Sequence, residues 1–295
     1  MLIRSQILSA PQFSSYFNSS FFPKLLSFNG ACNFRNRALS VKRWRNCKRF
    51  SSIVSSASSS TNGAPENVHM KKRKIVEHIF LVKAKSDLSE DEEKDMLDYL
   101  YTSQYHMSGI LAISLGRIEG PDAENFTHGV YMRFQRKEDV AKFYNSAFYS
   151  RVLEERVAPI SYGSVSVDFE SEVEDDIIPI FRRGEDFNYG VECIILISVL
   201  ETVPKEAIEE ALCTLQDLIG QYDSFIVQAT IGTTLNSKDS EYSHAAVIRF
   251  PSREDFVFFK ESNEYKHMWS SKFQPINKKS LLLHYSVDPV GTELM

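Results

Sequence analysis

The 295-residue chain has no apolar run approaching the roughly 18 residues that a membrane-crossing helix requires. It also lacks acid over one long stretch. No Asp or Glu occurs before Glu66, whereas nine Lys or Arg lie between Arg4 and Arg49, and fifteen serines fall in the first sixty positions. An acid-free, serine-rich, arginine-bearing stretch has the composition of an organelle transit peptide and is set aside from fold reasoning. Its hydroxyl-rich character, without a periodic basic helix, points to the chloroplast ahead of the mitochondrion. A peroxisomal address ranks lower, because Glu293-Leu294-Met295 lacks the small and basic residues of an S-K-L signal. Removing those nine bases from the 34 leaves 25 against 39 acids. So acidic a body repels DNA phosphates and anionic lipid, and neither nucleic acid nor membrane is an expected partner.

Cysteine is scarce as well. Cys32 and Cys47 fall in the transit-like stretch, Cys193 in a strand-like run and Cys213 in a helix-like one, with no C-x-x-C spacing. This excludes a disulfide framework and a zinc site, and leaves two buried thiols as the expectation for the body. There is no Ser-His-Asp order, no glycine-rich phosphate loop and no haem-ligand signature. The acids Glu90–Glu93 and Glu172–Asp176 lack the alternating spacing and the glycine of a calcium loop. No cofactor or metal is therefore expected. Lys71–Lys74 (K-K-R-K) reads as a spacer before the first strand.

What the chain does have is a repetition. F-T-H-G-V-Y-M-R-F (Phe126–Phe134) returns as Y-S-H-A-A-V-I-R-F (Tyr242–Phe250). The step of 116 residues also pairs Gly116 with Gly232, Glu138-Asp139 with Glu254-Asp255, Phe143 with Phe259, Tyr149 with Tyr265 and Pro159 with Pro275. Nearer the start the step is 115, from Val76-Glu77 to Val191-Glu192. A constant offset over this span marks a tandem duplication.

Each copy predicts the same elements. V-E-H-I-F-L-V (Val76–Val82) and V-E-C-I-I-L-I (Val191–Ile197) read as strands covered on both faces. A helix follows, opened in copy one by the capping box Ser89…Glu92 and in copy two by Pro204. Glycine-ended strands, the repeated motif, a second helix and a last strand complete β-α-β-β-α-β, the ferredoxin-like split unit of an α+β fold. The predicted organisation is a transit peptide over 1–65, a basic spacer over 66–75, one domain over 76–170, an acidic linker over 171–190, a second domain over 191–288 and a tail over 289–295. Hydrophobic content of 43% with 25% charged residues suits such a globular body. A four-stranded sheet of this type covers one face with its helices and leaves the other bare. Two tethered copies can pack these faces sheet to sheet into an intramolecular barrel, at an effective concentration independent of protein concentration. A monomer then suffices, and a homo-oligomer remains compatible.

The ordered motifs V-E-H-I, the glycine-ended second strands, F-T-H and Y-S-H before apolar strands, and E-D before the second helix resemble the stress-responsive dimeric α/β-barrel (stress-response A/B barrel) family in its plant tandem form. The resemblance spans Val76 to about Asp288 and implies a stress association without an established reaction. Polyketide-cyclase relatives use a Tyr-His pair after the second helix. The matching positions here are Phe143 and Tyr149, then Phe259 and Tyr265, so that pair is absent from both halves. The resemblance places a pocket histidine at His78, with Cys193 at the same place in copy two.

These readings give two function classes. The first is a stress-response A/B barrel protein that is non-catalytic or binds a small hydrophobic ligand between its two halves, with His78, Phe80, Val82, Phe126, Phe143, Tyr149, Cys193 and Tyr242 as pocket candidates. The second is a cyclase- or monooxygenase-like enzyme using His78 as general base. His128 and His244, repeated in both copies, read as structural. Arg133 and Arg249 alternate away from that histidine face, toward helix ends or solvent, with Glu138 or Asp139 and Glu254 or Asp255 as salt-bridge partners.

Overall fold

The computed structural model describes residues 72–120, 122, 124–174, 189–235 and 241–287. The transit-like stretch, most of the acidic linker and the tail lie outside the described residues. The first half comprises β1 (Lys72–Ala84), α1 (Glu90–His106), β2 (Ile110–Arg117), β3 (His128–Phe134), α2 (Lys137–Tyr144), α3 (Ala147–Val152) and β4 (Ser161–Glu174). The second comprises β5 (Val191–Val199), α4 (Lys205–Gln221), β6 (Gln228–Thr233), β7 (His244–Phe250), α5 (Arg253–Glu261), α6 (Asn263–Met268) and β8 (Asn277–Ser286). Two four-stranded antiparallel sheets result, ordered β2-β3-β1-β4 and β6-β7-β5-β8. The repeat extends to irregularity: single π-helical turns stand at Leu153–Val157 and Trp269–Phe273, one repeat apart.

Local signals explain the helix boundaries. The Ser89 hydroxyl accepts from the Glu92 amide at 3.3 Å, while the Glu92 carboxylate accepts from the Ser89 amide at 3.1 Å. Ser252 and Ser262 cap α5 and α6 through the amides of Asp255 and Tyr265. Two boundaries differ from expectation. β1 begins at Lys72, inside the predicted spacer, and β4 runs to Glu174, inside the predicted linker. The antiparallel register carries both strands on, setting Lys74 opposite Glu172, and Lys74 pairs with Glu170 at 3.0 Å. Cys193 is a buried free thiol, as expected, whereas Cys213 on α4 is only half-buried.

Strand alternation sorts the core into layers. Val76, Phe80 and Val82 face α1 to α3 with Met96, Leu100, Phe143 and Tyr149. Val191, Cys193 and Ile195 face α4 to α6 in the second half. The alternate positions form a third cluster drawn from both sheets, in which Ile79, Tyr131 and Phe169 meet Ile194, Leu283 and Tyr285. Backbone contacts join the same two sheets. Ile118 bridges Tyr285 and Phe169 bridges Thr234, while the Glu119 amide donates to the His284 carbonyl at 2.9 Å and the Leu235 amide to the Asp168 carbonyl at 2.8 Å.

Candidate functional site

His78 lies in β1, and the β1–β4 register sets it directly opposite Asp168. Its Nδ1 is 2.8 Å from Asp168 Oδ1. The Tyr144 hydroxyl, from the last residue of α2, donates to Asp168 Oδ2 at 2.8 Å and lies 3.3 Å from His78 Nδ1. A carboxylate can only accept, so Nδ1 carries a proton, and in the neutral imidazole Nε2 is then the nitrogen with the lone pair. That Nε2 is buried and has no hydrogen-bond partner. His78 is 0% exposed and Asp168 5%, whereas Tyr144 is 38% exposed and forms the outer cover of the pair. The rings of Phe80, Phe134, Phe143 and Tyr144 surround the imidazole at centroid distances of 6.4, 6.3, 5.3 and 5.7 Å. Tyr149 packs on Phe143 at 3.9 Å, and its buried hydroxyl also has no partner. Burial raises both phenols, Tyr144 and Tyr149, far above the ordinary tyrosine range, with Asp168 adding to the shift, so both remain protonated donors.

The duplicate half supplies an internal comparison. Cys193 stands at the His78 position, His284 at that of Asp168 and Lys260 at that of Tyr144. Burial pushes the Cys193 thiol up to about 12, which keeps it an unreactive apolar filler. The second half folds without any of the three polar groups. The fold therefore does not demand the His78–Asp168–Tyr144 arrangement, although burying such groups carries a cost.

The remaining predicted residues fall into separate places. His78, Phe80, Val82, Phe143 and Tyr149 share the sheet–helix layer of the first half, Cys193 occupies that of the second, and Phe126 and Tyr242 belong to the cluster drawn from both sheets. The His78 face thus looks toward its own helices and not toward the other half. Arg133 and Arg249 correct the expectation more sharply. Neither reaches solvent or the predicted acids. Arg133, 0% exposed, donates from Nη2 to Glu77 at 2.6 Å, with the Tyr131 hydroxyl on the same carboxylate at 2.8 Å. Arg249 makes the equivalent pair with Glu192. Each arginine sits cross-strand from its glutamate, so the carboxylate it needs is already in register.

His128 and His244 open β3 and β7, each with Nδ1 2.9 Å from the preceding hydroxyl, Thr127 or Ser243. His128 Nε2 also lies 2.7 Å from Glu93, which accepts from Arg117 Nε at 2.9 Å. Burial raises the Glu93 pKa, but hydrogen bonds from Arg117 and His128 together bring it below the ordinary carboxylate range. A pocket of about 470 Å³ opens there, lined by Lys85, Leu88, Glu93, Arg117, Phe126 and His128 among others, and it does not include His78. Among the described residues no cluster of three metal-ligating side chains occurs, and no helix is long and apolar enough to cross a membrane.

Asp168 and Tyr144 escaped the sequence reading. Asp168 keeps the alternation of S-V-S-V-D-F, on the same helix-facing side as Ser164 and Ser166, so no break in pattern set it apart. Tyr144 follows Phe143 by one residue and so lies off the position compared with the cyclases.

This α+β architecture of two ferredoxin-like sheets with their helices defines a structural class, and comparison narrows it. Residues 76–171 match the family described as the Stress responsive A/B Barrel Domain. The chain is 28% identical over 181 residues to a stress-response A/B barrel domain-containing protein of Arabidopsis thaliana, covering 60% of this chain and 65% of that protein. It therefore spans just under two thirds of the curated relative's length. An anthrone oxidase-like protein superposes with a TM-score of 0.53 at 7% identity, over 73% of this chain and 92% of that one. A Fusobacterium nucleatum protein provisionally described as a monooxygenase gives 0.52 at 10%, over 73% and 93%. At these identities the likeness is one of fold alone.

Proposed function

We propose that this protein is a self-closing stress-response A/B barrel that binds a small, largely apolar molecule in its first half, at the His78–Asp168 pair beneath Tyr144, while the second half acts as a folded wall. The observation carrying this reading is the buried His78 Nε2, oriented by Asp168, left without a partner and framed by aromatic rings. An unpaired buried acceptor costs stability unless something hydrogen-bonds to it. A phenol or similar hydroxyl-bearing aromatic supplies that donor, and its ring suits the Phe80, Phe134 and Phe143 surroundings. Entry requires Tyr144 to swing outward, which its partial exposure allows. Closure of the two halves is supported by the shared apolar cluster and by the backbone bonds between the sheets.

Titration of the full chain with 4-ethylphenol, followed by imidazole NMR shifts and calorimetry, tests the binding. Saturable binding is expected in the wild type, absent in His78→Ala and weakened in Asp168→Asn. Equal binding by wild type and His78→Ala, or none by either, contradicts the reading. A second reading draws on the same lone pair. A histidine backed by a carboxylate is the arrangement of a general base, and the fold neighbours described as oxidase-like and monooxygenase proteins support testing enzyme chemistry on aromatic substrates. Turnover lost in His78→Gln while binding persists distinguishes it. The acid-free N-terminal composition supports plastid delivery, which a fluorescent fusion to the full chain tests; a cytosolic signal contradicts it.

A further inference from the structure

We propose that the two sheet faces are keyed to one another, so that the first half accepts the second half of the same chain and rejects a copy of itself. The inference rests on the closure of the halves proposed above. Tyr285, on β8, lies over glycines of the first half. A Cβ at Gly129 would stand 2.7 Å from ring carbon Cε1, and a Cβ at Gly116 would stand 2.8 Å from Cδ2. The hydroxyl of Tyr285 is held on Ser114, 3.2 Å from its Oγ and 3.4 Å from its carbonyl oxygen. Ser114 Oγ in turn lies 3.4 Å from Glu192 of the second half. The ring is thus pinned at its far end and cannot tilt away from Gly129.

The reciprocal contact uses different residues. Phe169, one repeat earlier than Tyr285, lies over Gly232, where a Cβ would stand 2.8 Å from its Cδ2. Around it the second half has Ala245 in place of Gly129 and Thr230 in place of Ser114, and phenylalanine carries no hydroxyl to pin. The tyrosine therefore fits a groove with two glycines and a serine, and the phenylalanine fits one with a glycine, an alanine and a threonine. If two second halves paired, Tyr285 would meet the Ala245 methyl where its own groove has none. If two first halves paired, Phe169 would lie over Gly129, leaving a gap and a serine without its phenol partner. Each like-with-like pairing loses packing that the mixed pairing keeps.

The test uses the full chain, thermal unfolding and light scattering. Gly129→Ala is expected to lower the melting temperature strongly when residue 285 is tyrosine and much less after Tyr285→Phe, because alanine beside phenylalanine is the combination the second groove already holds. Phe169→Tyr is expected to lower it too. An equal loss for Gly129→Ala in both backgrounds, with Phe169→Tyr neutral, overturns the keying while leaving the closure intact. No effect of Gly129→Ala or Tyr285→Phe contradicts the closure itself. Light scattering is expected to give the mass of one chain, and a stable mass of two chains overturns selection of the same chain's second half.

Discussion

Glu77 and Arg133 show how far a single residue pair departs from its surface reputation. Both are fully buried, and each answers the other's charge. Removing one partner of such a pair leaves an uncompensated buried charge, which costs about 3–5 kcal/mol. Glu77→Gln is therefore expected to lower the urea midpoint by far more than Glu138→Gln, whose side chain is exposed. Similar small losses for the two substitutions contradict this. The sequence showed that Arg133 and His128 differ in face, but not what covers either face, so a charged residue was assigned to water. The repetition of Glu77 and Arg133 as Glu192 and Arg249, each inside an otherwise apolar strand run, was the available signal. His78 was legible as a singular residue. Its partner Asp168, ninety positions away, depends on a strand register that no local pattern encodes.

At the scale of elements, order was legible because every signal pointed the same way: apolar runs, capping residues, glycines and the repeat. Boundaries were less so, since the ends of β1 and β4 are polar and are fixed by their pairing with each other. The cap of α1 makes a direct prediction. Ser89→Ala removes the acceptor for the Glu92 amide and is expected to cost about 1 kcal/mol, read as a lower melting temperature with unchanged cooperativity. No change contradicts a stabilising role for the box. Elements also carry the acid response, because His128, His244 and His284 stand on β3, β7 and β8. Burial holds all three below the ordinary value of 6.5. The unfolded chain takes up protons near 6.5 while the folded chain resists, so stability is full above that pH and declines as pH falls below it. Glu93, held low by Arg117 and His128 against its own burial, acts with the same sign farther into acid. Urea midpoints that decline from about pH 7.5 to about pH 5.5 are expected, and a flat or rising profile contradicts the assignment.

For the whole molecule, the duplication makes one half the control for the other. Shared features, including the buried Glu–Arg pairs, the strand-opening histidines and the π turns, belong to the architecture. Features confined to one half, above all His78 with Asp168 and Tyr144, are where function is to be sought. The proposed arrangement requires one chain to cover both of its own apolar sheet faces, and hydrogen exchange across a dilution series tests that most directly. Amides of Ile79–Leu81 and Ile194–Leu196, on the strands that meet in the shared cluster, are expected to keep the same slow exchange at every protein concentration. Exchange at those amides that quickens with dilution contradicts the account, since the faces are then covered by another molecule.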